Sequence, residues 1–183
     1  IFFFLLLLGT FLTQLQATHV MGVDISYQCV GPCTYRIFHK TYYDCSGSAT
    51  GPYIPISPNN PATAGFASLG AVSFDGDPNN CGAPTAQGQW QLFSWREVTP
   101  ICPNVTSQCS GGFSPIAGVA EAVFFRDYNF CNVTCDQVQV SWDLCCRNST
   151  ITSGADDEGI YTGQTVIDLS IAPCNSSPTF INE

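Results

Sequence analysis

Thr34-Tyr35-Arg36-Ile37-Phe38-His39-Lys40-Thr41-Tyr42-Tyr43 is the stretch on which the fold turns. Successive side chains of a strand point to opposite faces, so Tyr35, Ile37 and His39 share one side and Arg36, Phe38 and Lys40 the other. Before it, Val20 to Val30 alternates in the same way, with Val23, Ile25 and Tyr27 on one side. After it come Leu69 to Phe74, Gln89 to Val98 with Trp90, Phe93 and Trp95, Ala117 to Tyr128, Gln137 to Leu144 and Thr165 to Ile171. The period is two nearly throughout, and no stretch carries a helical stripe. Seven strands separated by Gly, Pro and Asn turns predict an all-β chain. Its expected form is a disulfide-stapled antiparallel β-sandwich, Ig-like in the broad sense, with long Pro/Gly loops.

Two connections are long. Ser46 to Ser68 holds Pro52, Pro55, Pro58 and Pro61, three residues apart. A polyproline II helix has three residues per turn, so these prolines would share one edge, as a stiff loop on the sheet or as a ligand for an aromatic groove. Asp75 to Gly88 is a Gly/Pro/Asn loop containing Cys81. The sandwich is expected over residues 18–172. Residues 173–183, beginning Pro173-Cys174-Asn175-Ser176-Ser177-Pro178, have the composition of a linker toward a further domain.

The chain has 183 residues and a net charge of −9, with only 10% charged residues. Nucleic-acid binding needs clustered Lys or Arg to neutralise phosphates, and this chain has five in all. The same scarcity argues against an anionic membrane surface. With 45% hydrophobic and 13% aromatic residues the chain is expected to fold rather than remain disordered.

Eleven cysteines point to an oxidising compartment. Zinc would need ligands at short regular spacing, and the only histidines are His19 and His39. Disulfides are the expected use. The close pairs Cys29–Cys33, Cys102–Cys109 and Cys131–Cys135 are candidate short loops, although spacing does not fix connectivity. The odd count leaves one thiol free or joined to another chain.

Ile1 to Leu8 is an unbroken apolar run, extended by Phe11 and Leu12 and followed by Thr13-Gln14-Leu15-Gln16-Ala17. Residues 1–17 match a secretory signal peptide with cleavage after Ala17. The run is shorter than the roughly 20 residues a membrane span needs. The alternative is an apolar assembly segment, retained and buried in another copy by strand donation.

Three stretches carry a family likeness. They are Thr18-His19-Val20-Met21-Gly22 leading to Tyr27-Gln28-Cys29, Thr41-Tyr42-Tyr43-Asp44-Cys45-Ser46-Gly47, and Ser141-Trp142-Asp143-Leu144-Cys145-Cys146-Arg147-Asn148 with the later Pro173-Cys174-Asn175. Together with Val98 to Pro103 they resemble the N-terminal module of large secreted surface proteins of Bacteroidota, of the gliding-motility-associated, adhesin-like type. The resemblance implies an exported, cell-surface or extracellular protein with an adhesive or structural role, and it transfers no catalytic residues.

Nucleophilic catalysis needs a base near neutral pH. His19 follows the expected cleavage site and His39 lies within a strand, so both read as structural. Asp127 and Asp143 are candidates for a carboxylate pair only if they share a cleft. Asp75, Asp77 and Asn79 place oxygens at alternate positions, as a calcium loop does, but Asn80 and Ala86 depart from the EF-hand pattern. Asp156-Asp157-Glu158 is a second acidic cluster. Asn104, Asn132, Asn148 and Asn175 each begin a glycosylation sequon.

The reading that follows is a non-enzymatic, secreted structural or adhesion protein of the cell surface, or of an extracellular fibre. Its expected partners are copies of itself, in a head-to-tail polymer, and cell-surface glycans or proteins. Nucleic acid and a transmembrane span are not expected. The alternative is a calcium-assisted carbohydrate-binding module with Trp90, Trp95, Trp142 and the tyrosines as its sugar-stacking platform.

Overall fold

The computed structural model describes residues 20–45, 72–76, 81–102, 104–110, 114–144, 161–171 and 174–178. Strands β1 (Val20–Gly31) and β2 (Thr34–Asp44) form a hairpin closed by Pro32 and Cys33. They are followed by β3 (Ser73–Gly76), β4 (Thr85–Glu97), β5 (Val119–Asn129), β6 (Gln137–Leu144) and β7 (Tyr161–Asp168). A short 3-10 turn at Gln108–Ser110 interrupts the β4–β5 connection.

Every pairing is antiparallel, and the strands divide into two sheets of order β1-β2-β5-β4 and β3-β6-β7. With the strands lettered in chain order these are A-B-E-D and C-F-G, the arrangement of a constant-type immunoglobulin domain. The expected disulfide-stapled, Ig-like sandwich of seven strands is therefore the fold.

The core forms because alternation gives each sheet one apolar face. Ile25, Tyr27, Tyr35, Ile37, Ala120, Ala122, Phe124 and Tyr128 project from the four-stranded sheet onto Val138, Val140, Trp142 and Ile167 of the three-stranded one. Tyr35, Ile37 and His39 are thus the buried side of β2, and Arg36, Phe38 and Lys40 its outer side. At the centre, the His39 ring meets the edge of Trp142 with 4.6 Å between centroids, and Trp90 lies 6.1 Å away. His39 and Trp142 sit on strands B and F, which antibody domains bridge with a disulfide.

Two strand boundaries differ from expectation for identifiable reasons. β7 starts at Tyr161 rather than Thr165, and Gly163 stands inside it. A side chain there would come within 3.0 Å of Val23 Cγ1 and 3.3 Å of Ile25 Cγ1, so glycine is what lets β1 lie close across β7. β4 starts at Thr85 rather than Gln89, continuing through Gly88 at φ +68° and a register irregularity between Gln87 and Gln91. The expected third strand is displaced to Ser73–Gly76, and residues 69–71 lie outside the described set.

The cysteine pairing corrects the short-loop expectation. Among the described residues the disulfides are Cys29–Cys174, Cys45–Cys109 and Cys81–Cys135, with Cα–Cα separations of 5.7, 5.0 and 5.2 Å. Each joins segments remote in sequence. Cys29 belongs to β1 while Cys33 sits in the turn, and Cys135 faces the β3–β4 connection rather than Cys131. Of the expected candidates, Cys33, Cys102 and Cys131 are unbonded and exposed. These three disulfides fit folding in an oxidising environment.

Residues 174–178, within the expected linker, are tied to the sandwich. The Tyr27 N–H donates to Ser177 Oγ at 2.9 Å, the Ser177 N–H to the Tyr27 carbonyl at 2.9 Å, and the Cys29 N–H to Ser176 Oγ at 3.1 Å. The segment thus lies along the open edge of β1 and satisfies groups that an edge strand leaves free. Residues 1–19, the proline-spaced part of the β2–β3 connection (46–71) and the cluster at 156–158 lie outside the described residues.

Candidate functional site

The sugar-stacking platform expected from the tryptophans is not what the fold presents. Trp90 and Trp142 are core residues, and Trp95 is half-buried with its indole N–H donated to the Tyr43 hydroxyl. Alternation turns them inward with Leu92, Ala122 and Tyr43. The aromatic rings that cluster on the outer face of the four-stranded sheet are three phenylalanines.

Phe38 on β2 and Phe125 on β5 stand directly opposite each other on the outer face of the four-stranded sheet. Phe93 joins them from β4 through a register event. Leu92 pairs with Phe124 and Ser94 with Val123, so Phe93 is an extra residue with no partner on β5. A β-bulge of this kind re-aims a side chain while keeping the rest of the strand in phase. Leu92 and Trp95 therefore both face the core, and Phe93 emerges on the outer face. Its ring meets Phe38 edge-on at 5.5 Å and Phe125 edge-on at 6.2 Å, with interplanar angles of 77° and 86°. Phe93 is 62% exposed, the highest value among the exposed large apolar side chains of the described residues.

Charged pairs frame this patch. Arg36 makes a two-pronged bond to Asp127, with Nε–Oδ1 of 2.7 Å and Nη2–Oδ2 of 3.0 Å, and its guanidinium lies 4.3 Å from the Phe125 ring centre. The hydrogen bond to Asp127 raises the Arg36 pKa further above its already high value. Arg96 Nε bonds Glu121 Oε1 at 2.7 Å, and Tyr42 hydrogen-bonds the same carboxylate. Arg96 holds the Glu121 carboxyl below the usual range, against the opposing effect of burial. Lys40 lies 3.9 Å from Asp24. Three cations and three anions thus cancel around the patch, and Asp44, at the far end of β2, is buried. On a chain of net charge −9 this is a locally neutral surface, and it uses three of the five cationic side chains.

The remaining expected site residues fall apart in space or outside the described set. Asp75 is on β3, in register with Gln139, while Asp77 and Asn79 are not described. No cluster of three metal-ligating side chains occurs among the described residues. Asp127 and Asp143 lie on opposite outer faces, one held by Arg36 and the other accepting from Thr162 Oγ1 at 2.7 Å, so they form no catalytic pair. Among the sequons, Asn104 and Asn132 are exposed in connections. Asn175 is half-buried with Nδ2 donating to the Asp168 carbonyl at 3.0 Å, so its amide is engaged within the fold. Asn148 is not described.

His39, read as structural, is 1% exposed. Nδ1 lies 3.0 Å from Thr41 Oγ1, Nε2 has no partner, and burial lowers the pKa to about 4. Phe38 and Phe93 were visible in the sequence as strand residues. Their meeting on one face was not, because it depends on the bulge opposite Val123.

Comparison with family models, with curated proteins and with solved structures finds no match to the chain.

Proposed function

We propose that this is a non-enzymatic extracellular building block, a disulfide-stapled Ig-like module that associates with copies of itself. The observation that carries the reading is the Phe38–Phe93–Phe125 cluster, with Phe93 exposed and the other two rings half-buried, inside a charge-neutral frame. Two like-charged chains repel wherever their net charge is exposed. A face whose charges are already paired internally can meet an identical face without that repulsion, and aromatic side chains are enriched at the centres of such interfaces. An isologous contact buries the same patch on both copies. Covering Phe93 alone would contribute roughly 1–2 kcal/mol per copy.

Secretion to the cell surface, an adhesive role and growth into a fibre belong to this reading as well. They rest on the cysteine content, the signal-like residues 1–17 and the resemblance to Bacteroidota surface modules. A head-to-tail fibre would need a second, heterologous contact in addition to the sheet face.

The carbohydrate-binding alternative is less favoured by the ring geometry. Sugar stacking uses exposed, roughly coplanar ring faces, whereas these three rings pack edge to face. Sedimentation velocity of the wild type and Phe93→Asp separates the readings. Self-association predicts a sedimentation coefficient that rises with concentration for the wild type and stays monomeric for the variant. Identical profiles, together with glycan retention lost on adding EDTA, would instead support the calcium-assisted lectin.

A further inference from the structure

The β1–β2 turn, Gly31-Pro32-Cys33-Thr34, carries a side chain that the turn itself does not require. Cys33 has φ 51°, the left-handed region, and no other non-glycine residue among those described does so. A tight turn with proline at its second position ordinarily takes Gly or Asn at the third, because those residues enter that region most easily. Cysteine at this place gains nothing for the backbone. What it offers is a sulfur at a defined position.

That position faces the β5–β6 connection. Thr34 is in register with Asn129, and the Phe130 N–H donates to the Cys33 carbonyl at 2.7 Å, extending the β2–β5 ladder past its formal end. The next residue is Cys131, whose N–H is held by Asn129 Oδ1 at 3.0 Å. Backbone bonds therefore fix both cysteines on facing segments, and the neighbouring Cys131 thiol, together with slight burial, raises the Cys33 pKa. Both thiols are exposed, so an oxidant can reach them.

We infer that Cys33 and Cys131 are a disulfide site and that the mature protein carries this bridge in addition to the three among the described residues. The chemistry is ordinary exchange with an oxidant of the disulfide class, such as oxidised glutathione or a disulfide-bearing oxidase. One cysteine thiolate attacks an oxidant sulfur and expels the other oxidant sulfur as a thiolate. The second cysteine, deprotonated, then attacks the mixed disulfide at the protein sulfur and expels the remaining oxidant thiolate. Two electrons pass from the protein thiols to the oxidant, and the two protons released are taken up by its thiolates.

The bridge would complete a pattern at one end of the sandwich. Cys81–Cys135 ties the β5–β6 connection to the β3–β4 connection on one side. Cys33–Cys131 would tie the same connection to the β1–β2 turn, and Cys29–Cys174 holds the chain after β7 to β1. All the connections at that end would then be covalently linked to a neighbour.

Free-thiol counting on the full chain, exported to an oxidising compartment and denatured without reductant, tests the assignment. The wild type is compared with Cys33→Ser, Cys131→Ser and the double variant. A Cys33–Cys131 bridge predicts one additional free thiol in each single variant and an unchanged count in the double variant. A loss of one thiol in each single variant would overturn it, since both cysteines would then be free. A gain of two in the double variant would also overturn it, because each would have had a different partner. Unfolding does not blur the result, because the count is made on denatured chains and does not require native packing.

Discussion

His39 concentrates the consequences of a single residue. It is an imidazole in the middle of an aromatic core, one nitrogen bonded to Thr41 and the other without a partner. Burial disfavours its charged form, and its pKa falls from 6.5 to about 4. The unfolded chain therefore binds a proton that the folded chain refuses between about pH 6.5 and 4. Stability is full above 6.5 and is lost as pH falls through that window, by roughly 3 kcal/mol if the whole shift is expressed. Carboxylates such as Glu121, whose pKa is lowered by Arg96, lose stability in the same direction, but only below their own unfolded range near 4.5. The two contributions separate on the pH axis. Chemical denaturation from pH 7 to 5 should show a decline for the wild type that His39→Gln abolishes. A decline of equal slope in both would assign the effect elsewhere. The sequence placed His39 inside a strand and on the same side as Ile37, which is enough to say it is buried. It did not reveal Trp142 against the ring, because that contact joins two sheets.

Among the elements, β1 and β4 are the edges of the larger sheet, and each is managed differently. β4 carries the bulge that exposes Phe93. β1 is covered by residues 174–178, which bond to Tyr27 and Cys29 and are locked by the Cys29–Cys174 disulfide. Removing that lock through Cys29→Ala with Cys174→Ala should cost about 2–4 kcal/mol. It should also free the latch, so that amide exchange at Tyr27 and Cys29 accelerates at least about tenfold while β2 and β5 stay protected. Unchanged exchange at those two amides would mean that Ser176 and Ser177 hold the segment without the disulfide. Strand positions were legible because alternation is a local property. β2 matches its expected span to within one residue, and β6 matches it throughout. The bulge at Phe93, the latch and the disulfide pairing were not legible, since each is a relation between segments far apart in sequence. The early start of β7 was not legible for the opposite reason, since it runs through Gly163. Glycine weakens a strand locally, yet here the close approach of β1 requires it.

For the whole molecule, the strand order follows the constant-type immunoglobulin plan, but the covalent links lie elsewhere. In antibody domains a disulfide crosses the core between strands B and F. Here the His39–Trp142 ring contact occupies that place, and the three disulfides tie strand ends and connections at the periphery. Covalent bonding lies at the margins, and no disulfide among the described residues crosses the core between strands B and F. The outer faces differ as well. The three-stranded sheet presents polar pairs, with Gln139 Nε2 donating to Gln164 Oε1 at 3.1 Å and Thr162 bonded to Asp143. The four-stranded sheet presents phenylalanine within paired charges. The proposed self-association places the contact between copies on this second face. Photocrosslinking from its centre tests that most directly, using Phe93→p-benzoylphenylalanine in the full chain at concentrations where the wild type associates. Self-association through this face predicts a covalent dimer whose crosslinked peptides come from β2, β4 and β5 of the other copy. A product that remains monomeric, or crosslinks confined to the β3-β6-β7 sheet, would contradict it.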